Sequence, residues 1–574
     1  MQDPTRILTQ YWGYPTLRGI QAQVIQAVLE GRDVFALMPT GSGKSICFQV
    51  PALMRSGLCL VITPLIALMN DQVQHLNSKG IAAAALHSGL SRQETHQLYE
   101  DLQMEQYTFL YVSPERLASD RFLDTIASIE VQLMVVDEAH CIAQWGYDFR
   151  PAYLEIGALR KRIPETPVIA LSASATQEVQ SDIIDKLALK EPALFQQDFH
   201  RANLAYQVEF GTDKQELLLQ LLKNYKDAGS SGSVLIYTRS RKAAEGIAAL
   251  LQTQEYRADY YHAGLSQEQR RDKQAEWMIA KIKILVCTNA FGMGIDKPDV
   301  RLVIHYGPPD QLENYYQEAG RAGRDGAPAK AVLLYGSYDL DELRRLPALR
   351  YPEFSVIQQL YQHLADYLQI PVGLGKERFF EFQLSDFAER FKWRPLQVHG
   401  VLKALEQAGL ISYFEQVFLP AKVKLHISRS QLAVFTATFP RWEPIADYLM
   451  RNYENIFLEQ VTIKESKIAW ALYLSQEEVK RGLSFMASQG IIRYLPSRHS
   501  PQLYFMTGRA PAAFLIFNHV HYQRQKALFI ERIENMIRYL QADGCRSQII
   551  ATYFGQPLSA DCGNCDNCLA KIKQ

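Results

Sequence analysis

One repeated unit governs the sequence from Val34 to about Tyr335: a short apolar run, a polar loop and then a helix-like segment. Apolar runs of this length that alternate with helices are typical of parallel sheets covered by helices on both faces. A polar stretch near Gly211–Lys214 separates the runs into two sets, so the sequence predicts two α/β lobes. The predicted strands are Val34–Met38, Cys59–Thr63, Phe109–Val112, Leu133–Val136 and Val168–Leu171 in the first lobe, and Val234–Tyr237, Ile282–Cys287, Leu302–Ile304 and Ala331–Tyr335 in the second.

Beyond the second lobe, the pattern changes to two helices followed by a pair of short strands, and this order occurs twice. The first example covers Leu384–Phe418 and includes a predicted helix at Pro395–Gln407. The second covers Leu472–Tyr504, where Ile491–Leu495 and Leu503–Met506 are predicted to form a hairpin. Two helices and a two-stranded wing are the elements of a winged helix, so we expect two winged-helix-like units.

Composition limits the class of protein. Apolar residues make up 48% of the 574 residues and charged residues 21%, as in an ordinary globular protein. Lys plus Arg (61) balances Asp plus Glu (61), so any basic surface for nucleic acid must be local. No apolar stretch approaches the roughly 20 residues that cross a bilayer, and the start lacks the order of a signal peptide. We therefore expect a cytoplasmic protein, nucleoid-associated if its source is bacterial.

The twelve residues that end at Ser45 read as a buried strand, a glycine-rich loop and the start of a helix. Backbone amides around Gly41 and Gly43 can converge on phosphates at the N-terminus of that helix. Lys44 adds a positive charge for the β- and γ-phosphates, and the Ser45 hydroxyl can bind Mg²⁺. The strict pattern has glycine where Met38 stands, and a plain glycine turn is the alternative. The predicted nucleotide-binding residues here are Thr40, Gly41, Ser42, Gly43, Lys44 and Ser45.

Two adjacent carboxylates, Asp137 and Glu138, follow another predicted strand. Asp137 can hold Mg²⁺ through water and Glu138 can polarise the attacking water, as hydrolysis of a γ-phosphate requires. An Asp-Glu pair at the end of a strand is otherwise a solvated entry to a loop. The phosphate loop in the same lobe favours the catalytic interpretation.

Several segments resemble one helicase family, in motif order over residues 10–345. The phosphate loop and the sequence Asp-Glu-Ala-His at 137–140 are similar to those of superfamily-two helicases. The continuation Cys141–Arg150 is typical of the RecQ family of DNA helicases. Further segments that match this family are Tyr14–Gln21, Thr63–Gln72, Ser172–Thr176, Tyr261–Leu265, Thr288–Lys297 and Gln317–Gly326.

The resemblance implies how the base is bound. Tyr14 would stack on the adenine while Arg18 and Gln21 read its edge, and Leu17 stands where the family usually has Phe. Asp296, in a glycine-rich turn of the second lobe, is predicted to orient the ribose.

Arg321 and Arg324 lie three residues apart at a predicted helix start in the second lobe. Guanidinium groups there reach γ-phosphate oxygens only when the lobes close, which would couple lobe movement to hydrolysis. The family pattern favours Arg324 as the catalytic arginine, with Arg321 assisting. Two exposed helix charges are the alternative.

Nucleic acid would be bound without reading its sequence, through stacking faces and donors to phosphates. In the family, an aromatic-rich loop after the carboxylates reports bound DNA to the ATP site, and Trp145 and Arg150 carry over onto it. A Trp flanked by aromatics is otherwise a core residue. Thr63, His87 and His262 are further candidates for contacts with phosphates.

The winged-helix-like units add two candidate DNA contacts. Helix Pro395–Gln407 can bind a duplex, and the basic, aromatic segment Arg493–His499 is a candidate wedge between strands. Winged helices in large proteins also pack or bind protein partners, which is the alternative.

Four of the eight cysteines crowd the last thirty residues. Four thiolates suffice for a closed, structural Zn²⁺ site that replaces the core a small terminal piece lacks. A disulfide pair is the alternative, but the other four cysteines are scattered as expected in a reducing compartment. The predicted metal ligands are Cys545, Cys562, Cys565 and Cys568.

The spacing resembles the RecQ zinc subdomain, but its position departs from the family order. The family places this subdomain directly after the second lobe, whereas about 170 residues intervene here. Either an insertion or a rearranged order explains the difference, and the family's helical accessory domain is expected to be absent.

The predicted fold is α/β, with two RecA-like parallel-sheet lobes, winged-helix-like α+β units and a C-terminal helical zinc-binding subdomain. By resemblance, the activity is ATP-dependent 3′–5′ DNA unwinding with translocation on single-stranded DNA, in recombination and repair. The implied cofactors are ATP, Mg²⁺ and Zn²⁺; single-stranded and forked or branched DNA are the implied substrates, and single-strand-binding or recombination proteins are candidate partners. The predicted domains are 1–205 (lobe 1), 206–345 (lobe 2), 346–435 and 436–512 (winged-helix-like), and 513–574 (zinc-binding).

Two other interpretations stay open from the sequence. One is an RNA helicase or double-strand translocase of the same superfamily, against which the aromatic loop and the zinc unit argue. The other is a strand-annealing or scaffold protein that kept only the fold. The complete set of Lys44, Asp137, Glu138 and Arg324 argues against that second alternative.

Overall fold

The computed structural model describes residues 3–39, 41–87, 89–143, 151–292 and 297–573. The chain forms two compact units: residues 1–344 with residues 527–574, and residues 345–526. The second unit is therefore an insertion in the first. The sequence left two explanations for the position of the cysteine cluster, an insertion or a rearranged order of domains. The structure agrees with the insertion.

The first lobe contains a seven-stranded parallel sheet. The strands are β1 Val34–Leu37, β2 Leu58–Ile62, β3 Ala83–Leu86, β4 Phe109–Val112, β5 Val131–Val136, β6 Val168–Ser172 and β7 Ala193–Gln196. Their order is β3-β4-β2-β5-β6-β1-β7, and each neighbouring pair is parallel. Strands β1, β2, β4, β5 and β6 are buried at every residue, as expected for strands covered on both faces.

Helices cover this sheet. They are α1 Pro4–Trp12, α2 Gln21–Leu29, α3 Ile46–Leu53, α4 Ile66–Ser78, α5 Arg92–Gln103, α6 Asp120–Ala127, α7 Ile156–Arg162 and α8 Gln177–Lys186, with short 3₁₀ helices at Pro114–Ala118, Ala139–Ile142 and Pro151–Glu155. Their ends follow local chemistry: Ser91 and Glu94, for example, form a capping box at the start of α5.

The second lobe contains a six-stranded parallel sheet of order β10-β11-β9-β12-β13-β8. Its strands are β8 Leu204–Phe210, β9 Ser233–Tyr237, β10 Ala258–Tyr261, β11 Ile284–Cys287, β12 Val300–His305 and β13 Ala329–Tyr335. Its helices are α9 Lys214–Asp227, α10 Arg241–Thr253, α11 Gln267–Met278, α12 Leu312–Ala319 and α13 Ser337–Arg350.

The two predicted α/β lobes are confirmed, and each predicted strand is present. Four strands of these two lobes were not predicted. In β3, the small residues Ala83–Ala85 lack the β-branched character of a strand. In β8, an edge strand, only Leu204 and Tyr206 are buried and polar residues interrupt the sequence, so no continuous apolar run marks it. Strands β7 and β10 likewise mix polar with apolar residues.

The inserted unit combines helices with two three-stranded sheets. Its helices are α14 Phe354–Tyr367, α15 Leu384–Arg390, α16 Pro395–Gln407, α17 Arg429–Thr438, α18 Glu443–Asn452, α19 Glu465–Leu472 and α20 Gln476–Ser488, with 3₁₀ helices at Pro440–Trp442 and Ala512–Phe514. Its strands are β14 Arg378–Glu381, β15 Ile411–Leu419, β16 Ala421–Leu425, β17 Val461–Ile463, β18 Ile492–Leu495 and β19 Arg498–Phe505.

The pairing of these strands shows that the two winged-helix-like units are nested, not consecutive. Strand β19 pairs antiparallel with β14 and β15, whereas β16 pairs with β17 and β18. Separate apolar cores support the two sheets. We call residues 421–495, which lie between β15 and β19, the nested unit.

This nesting corrects two predictions. The expected hairpin of Ile491–Leu495 with Leu503–Met506 is wrong, because β18 and β19 belong to different sheets. The hydroxyls of Tyr494 and Ser497, near the crossing between the sheets, both donate to the carboxylate of Glu465. The boundary predicted between the two winged-helix-like domains, at residues 435 and 436, also does not match the strand pairing. Each of the two sheets contains strands that are distant from one another in sequence.

After the insertion, the chain returns to the second lobe. It forms helices α21 His519–Gln541, α22 Arg546–Tyr553 and α23 Asp566–Lys573. The ring of Phe554, fully buried, stacks on Phe199 at 4.6 Å between centroids with an interplanar angle of 6°. Tyr539 packs on Tyr315 of α12 at 5.2 Å. The cysteine-rich end therefore packs against the lobe that carries the candidate arginines.

Candidate nucleotide and metal sites

The phosphate loop connects β1 to α3 as the sequence predicts. Gly41 and Gly43 have φ angles of 80° and 78°, which L-residues with a Cβ rarely adopt. The Lys44 Nζ donates to the carbonyl of Met38 at 3.3 Å, which holds the ammonium over the loop. Ser45 begins α3 without a side-chain capping bond, so its hydroxyl can serve a ligand.

Gln21 joins the N-terminal motif to the phosphate loop. Its Nε2 donates to the carbonyls of Ser42 at 2.9 Å and Gly43 at 3.2 Å, while its Oε1 accepts from the Arg18 amide at 2.8 Å. In this state the Gln21 amide holds the loop, and reading of the base edge stays a prediction. Tyr14 is 49% exposed with the Arg18 guanidinium 5.6 Å from its ring centre, so its ring is available for stacking.

Asp137 and Glu138 follow β5, at the same sheet edge as the phosphate loop. The Asp137 amide donates to the Ile62 carbonyl at 2.9 Å, and the Tyr153 hydroxyl donates to the Asp137 carbonyl at 3.0 Å. Burial and the neighbouring charge of Glu138 raise the pKa of Asp137 to about 7, although Lys44 opposes the shift. A cation at this carboxylate would relieve that cost of burial.

Glu138 itself has a left-handed backbone, with φ 48° and ψ 46°. A residue with a Cβ in this region stores strain that is characteristic of functional sites. Its amide donates to Asp137 Oδ1 at 2.9 Å, and its Oε2 lies 3.4 Å from His140 Nδ1. This strained turn therefore sets the directions of the Asp137 and Glu138 carboxylates at the end of β5.

A chain of polar contacts, which the sequence interpretation did not predict, leads from these carboxylates toward the second lobe. His140 Nδ1 lies 3.1 Å from Ser172 Oγ, which is 3.4 Å from the Ser174 amide. Ser174 Oγ accepts from Gln317 Nε2, on α12 of the second lobe, at 2.7 Å. All four residues lie in segments that resemble motifs of the family. This resemblance is the sequence signal that could have identified them.

The two candidate arginines occupy different places. The aliphatic part of Arg324 lies against the phosphate loop: a Cβ built on Gly41 would be 2.9 Å from Arg324 Cγ. Arg321 is 5% exposed and lies inside the second lobe beside Tyr237. Burial raises the pKa of the Tyr237 hydroxyl well above its ordinary value, and the Arg321 guanidinium opposes that shift. Of the two, the structure brings Arg324 to the nucleotide loop.

The candidate DNA contacts are only partly described. Trp145 and Arg150, together with the nucleotide candidates Thr40 and Asp296, lie outside the described residues. The remaining three candidates are buried: Thr63 is 1% exposed, and His87 and His262 are 7% and 4% exposed. Their predicted contacts with DNA stay predictions.

Those buried side chains have protein neighbours. Thr63 lies beside Asp137 and lowers the pKa of that carboxyl. His87 Nδ1 accepts from the Gly89 amide at 3.1 Å, and burial lowers its pKa. His262 Nε2 lies 2.9 Å from Glu245 Oε1. Direct binding of phosphates would require these side chains to become exposed.

The four C-terminal cysteines come together. The Sγ atoms of Cys545, Cys562, Cys565 and Cys568 all lie within 4.8 Å of one another. Backbone amides donate to the thiols: that of Cys562 to Cys545 at 3.2 Å and that of Cys568 to Cys565 at 3.5 Å. Four converging sulfurs with hydrogen-bonded support fit a closed tetrahedral Zn²⁺ site.

The residues beside the cysteines attach this cluster to the second lobe. Arg546, 4% exposed, donates through Nε to Asp566 Oδ1 at 3.0 Å. Asp566 Oδ2 accepts from the backbone amide of Val208 in β8 at 2.9 Å. Asn564 Nδ2 also donates to the Ala202 carbonyl at 2.9 Å. A metal here would stabilise the contact with the lobe as well as the cluster.

Two parallel-sheet lobes, with a phosphate loop in the first and an arginine of the second against that loop, are the architecture of ATP-driven helicases. The fold and the site assign the chain to that class. Family models match along its length: DEAD/DEAH box helicase at 18–182, helicase conserved C-terminal domain at 213–326, RecQ helicase winged-helix domain (Bacteroidota) at 423–496, and RecQ zinc-binding at 509–569. The chain belongs to the RecQ family of ATP-dependent DNA helicases.

Relatives support this membership. The probable ATP-dependent DNA helicase RecS of Bacillus subtilis is 41% identical over 446 residues, 72% of this chain and 88% of the relative. The RecQ helicase of Synechocystis is 43% identical over 58% of this chain and 71% of the relative. The match to rat ATP-dependent DNA helicase Q5, 42% identical over 58% of this chain, covers 36% of that protein.

A solved structure shows the same fold at low identity. The DUF1998 helicase MrfA, bound to DNA and AMPPNP, is similar with a TM-score of 0.51 and 18% identity, over 60% of this chain and 52% of that chain. The family models and the relatives confirm the predicted family, fold class and enzyme class, and the zinc-binding match supports Zn²⁺ at the cysteines. Among the described residues, no helix is both long and apolar enough to span a membrane.

Proposed function

We propose that this helicase uses Mg²⁺-ATP to move 3′ to 5′ along single-stranded DNA and to unwind duplex DNA, in recombination and repair. The observation that carries the proposal is the contact of Arg324, from the second lobe, with Gly41 in the phosphate loop of the first. A nucleotide in that loop would be bound by both lobes, so its hydrolysis can change their separation.

Named residues have proposed roles in hydrolysis. Lys44 neutralises charge on the β- and γ-phosphates, and Glu138 orients the attacking water. Arg324 stabilises charge that develops on the γ-phosphate. Arg321, which is buried, stabilises the interior of the second lobe. Ser45 and Asp137 offer the hydroxyl and carboxylate oxygens that Mg²⁺ prefers, and would hold it. Bound there, the cation would neutralise phosphate charge.

The polar chain between the carboxylates and α12 supports coupling between the lobes. Glu138 contacts His140, His140 contacts Ser172, and Ser174 accepts from Gln317. A change in charge at Glu138 during hydrolysis can thus alter contacts that hold the second lobe. We propose that this chain reports the state of the nucleotide to the second lobe and hence to bound DNA.

The zinc cluster has a proposed structural role. A closed site with four sulfur ligands has no open position for chemistry. Its neighbours Arg546 and Asp566 attach it to β8. We propose that Zn²⁺ stabilises the packing of α22 and α23 on the second lobe. Action in the cytoplasm and binding of single-strand-binding or recombination proteins stay predictions.

The experiment that tests the proposal is ATP-driven unwinding of a duplex with either a 3′ or a 5′ single-stranded tail. We expect opening of the 3′-tailed substrate alone, and loss of opening in Lys44→Ala, which retains the fold. Lys161→Ala, an exposed lysine near the end of α7 in the same lobe, is the matched lysine control and should unwind normally. Opening from the 5′ tail would overturn the polarity, and DNA-stimulated hydrolysis without opening would indicate a translocase.

A further inference from the structure

Helix α19 of the nested unit carries a row of basic and aromatic side chains. Lys467 and Trp470, three residues apart, are neighbours on the helix surface, and Lys464 and Tyr473 flank the helix as its N-cap and C-cap residues. All four are exposed, Trp470 by 81% and Tyr473 by 98%. We call these four residues the α19 stripe.

The α19 stripe lies opposite the face by which the helix packs. Ile468 and Ala469, 0% and 6% exposed, belong to the apolar core of the nested unit. The acidic residue of α19, Glu465, is 3% exposed and accepts from the Tyr494 and Ser497 hydroxyls. The helix therefore presents two lysines and two aromatic rings to solvent without a carboxylate of its own.

The nearby carboxylates of the next helix are engaged in other interactions. Glu478 accepts from the Ser475 amide at 2.9 Å, and Glu477 lies 3.7 Å from Lys480. These two carboxylates therefore contact Ser475 and Lys480, which are not part of the α19 stripe.

Tyr473 ends α19 with its ring in solvent. Its backbone is left-handed, with φ 54° at the C-cap of α19, a position that favours glycine or asparagine. A fully exposed tyrosine there carries a strained backbone and gains no burial for its ring. An aromatic ring at 98% exposure is available to stack on a planar partner.

We propose that the α19 stripe binds single-stranded DNA, with bases stacked on Trp470 and Tyr473 and phosphates contacted by Lys464 and Lys467. Aromatic faces joined to positive charge form the general surface for single strands. Stacking requires unpaired bases, whose faces a duplex hides, and a chain of zero net charge needs such a local basic stretch. The proposal deepens the proposed DNA-helicase function by adding a strand contact on the inserted unit.

Photocross-linking of the full chain to a single-stranded oligonucleotide that contains 5-iodouracil tests the contact directly. The label should be recovered in the tryptic peptide Ile468–Lys480, which contains both rings. The same sequence as a blunt duplex should label this peptide much less. Absence of the label from the peptide, or equal labelling by the duplex, would overturn the proposal.

Affinity provides the second measurement, by fluorescence anisotropy with a labelled oligothymidine. Trp470→Ala and Tyr473→Ala should each weaken binding roughly fivefold or more, as for the loss of one stacked base. Lys467→Ala should weaken binding less and reduce its dependence on salt. Leu458→Ala and Arg451→Ala, exposed positions elsewhere in the nested unit, are the matched controls and should bind normally.

The outcome separates this proposal from the unwinding mechanism. Lys44→Ala should lose unwinding but keep the cross-link, because the contact needs no ATP. If Trp470→Ala and Tyr473→Ala bind the oligonucleotide as the wild type does, the stripe is not a DNA contact. A protein partner would then be the occupant to seek.

Discussion

Arg324 of the second lobe lies against Gly41 in the phosphate loop of the first. A Cβ atom built on Gly41 would be 2.9 Å from Cγ and 3.2 Å from Cδ of Arg324. The guanidinium that ends this side chain is therefore within the reach of a γ-phosphate bound at the loop. In the proposed mechanism, hydrolysis and the contact between lobes therefore depend on the same side chain.

Replacing Arg324 with alanine should lower the kcat of DNA-stimulated ATP hydrolysis by roughly 10³-fold, the scale of an arginine that stabilises phosphoryl transfer. The KM for ATP should change much less, because Lys44 and the loop amides stay in place. Steady-state kinetics with saturating single-stranded DNA measure both constants. Arg344→Ala, an exposed pair with Asp341, is the matched control. A near-normal kcat in Arg324→Ala would contradict this assignment.

Gly41→Ala should impair activity beyond its effect on stability. The substitution strains a φ of 80° and also pushes against Arg324. Gly31→Ala strains a φ of 78° where nothing lies within 4 Å of the added Cβ, so it isolates the backbone effect. We expect similar losses of thermal stability but a large loss of ATPase activity in Gly41→Ala alone. Equal activity of the two variants would mean that Arg324 does not need this space.

The sequence was sufficient for residues whose role is local. The buried strand before Gly41 and the carboxylates after β5 are recognisable because strand, loop and charge follow one another in the chain. The contact of Arg324 with Gly41 joins residues far apart in sequence, and spacing alone cannot give that distance. The wrong hairpin has the same origin: β18 and β19 are adjacent in sequence, but each pairs with strands that complete a different core.

Asp137→Asn should stabilise the protein without Mg²⁺ at pH 8. The pKa of Asp137 is about 7 in the folded protein and 3.8 in the unfolded chain. Between these two pH values the folded protein therefore keeps a proton that the unfolded chain has released. The free energy of unfolding therefore falls as pH rises from about 4 to 7, and the buried charge persists at pH 8. Thermal melts in buffer without Mg²⁺ should show a gain of a few degrees at pH 8 and a smaller one at pH 5.

Asp124→Asn is the control for this experiment. Its side chain is 66% exposed in a weak pair with Arg162, so no pH-dependent gain is expected. A gain in Asp137→Asn that is the same at both pH values would show that neutralising the buried charge is not the cause.

Phe554→Ala should impair hydrolysis although the residue belongs to the zinc-bearing end. Phe554 is fully buried against Phe199 and lies 5.2 Å from Tyr316 of α12, the helix that precedes Arg321 and Arg324. A cavity there should cost about 3–5 kcal/mol and loosen α12. We expect bound zinc to stay at one per chain while DNA-stimulated ATPase activity falls severalfold. Tyr338→Ala, 69% exposed in the same lobe, should have neither effect.

The nested unit should be removable without loss of the remaining fold. Leu419 in β15 and Arg498 in β19 are paired in register, so the two strands meet at the point where the nested unit leaves and returns. Replacing residues 420–497 with Asn-Gly should close a two-residue hairpin, because this dipeptide suits the turn that joins twisted strands. The apolar core of residues 345–419 and 498–526 contains no residue of the excised segment.

The shortened protein should therefore unfold cooperatively, bind one zinc and hydrolyse ATP with DNA stimulation, as calorimetry, metal analysis and ATPase assays would measure. Its affinity for long single-stranded DNA should fall, because the α19 stripe is lost with the excised segment. The matched control replaces the same residues with a long Gly-Ser linker, which restores neither the stripe nor its core. An insoluble or zinc-free product in both cases would mean that the outer sheet needs the nested unit in order to fold.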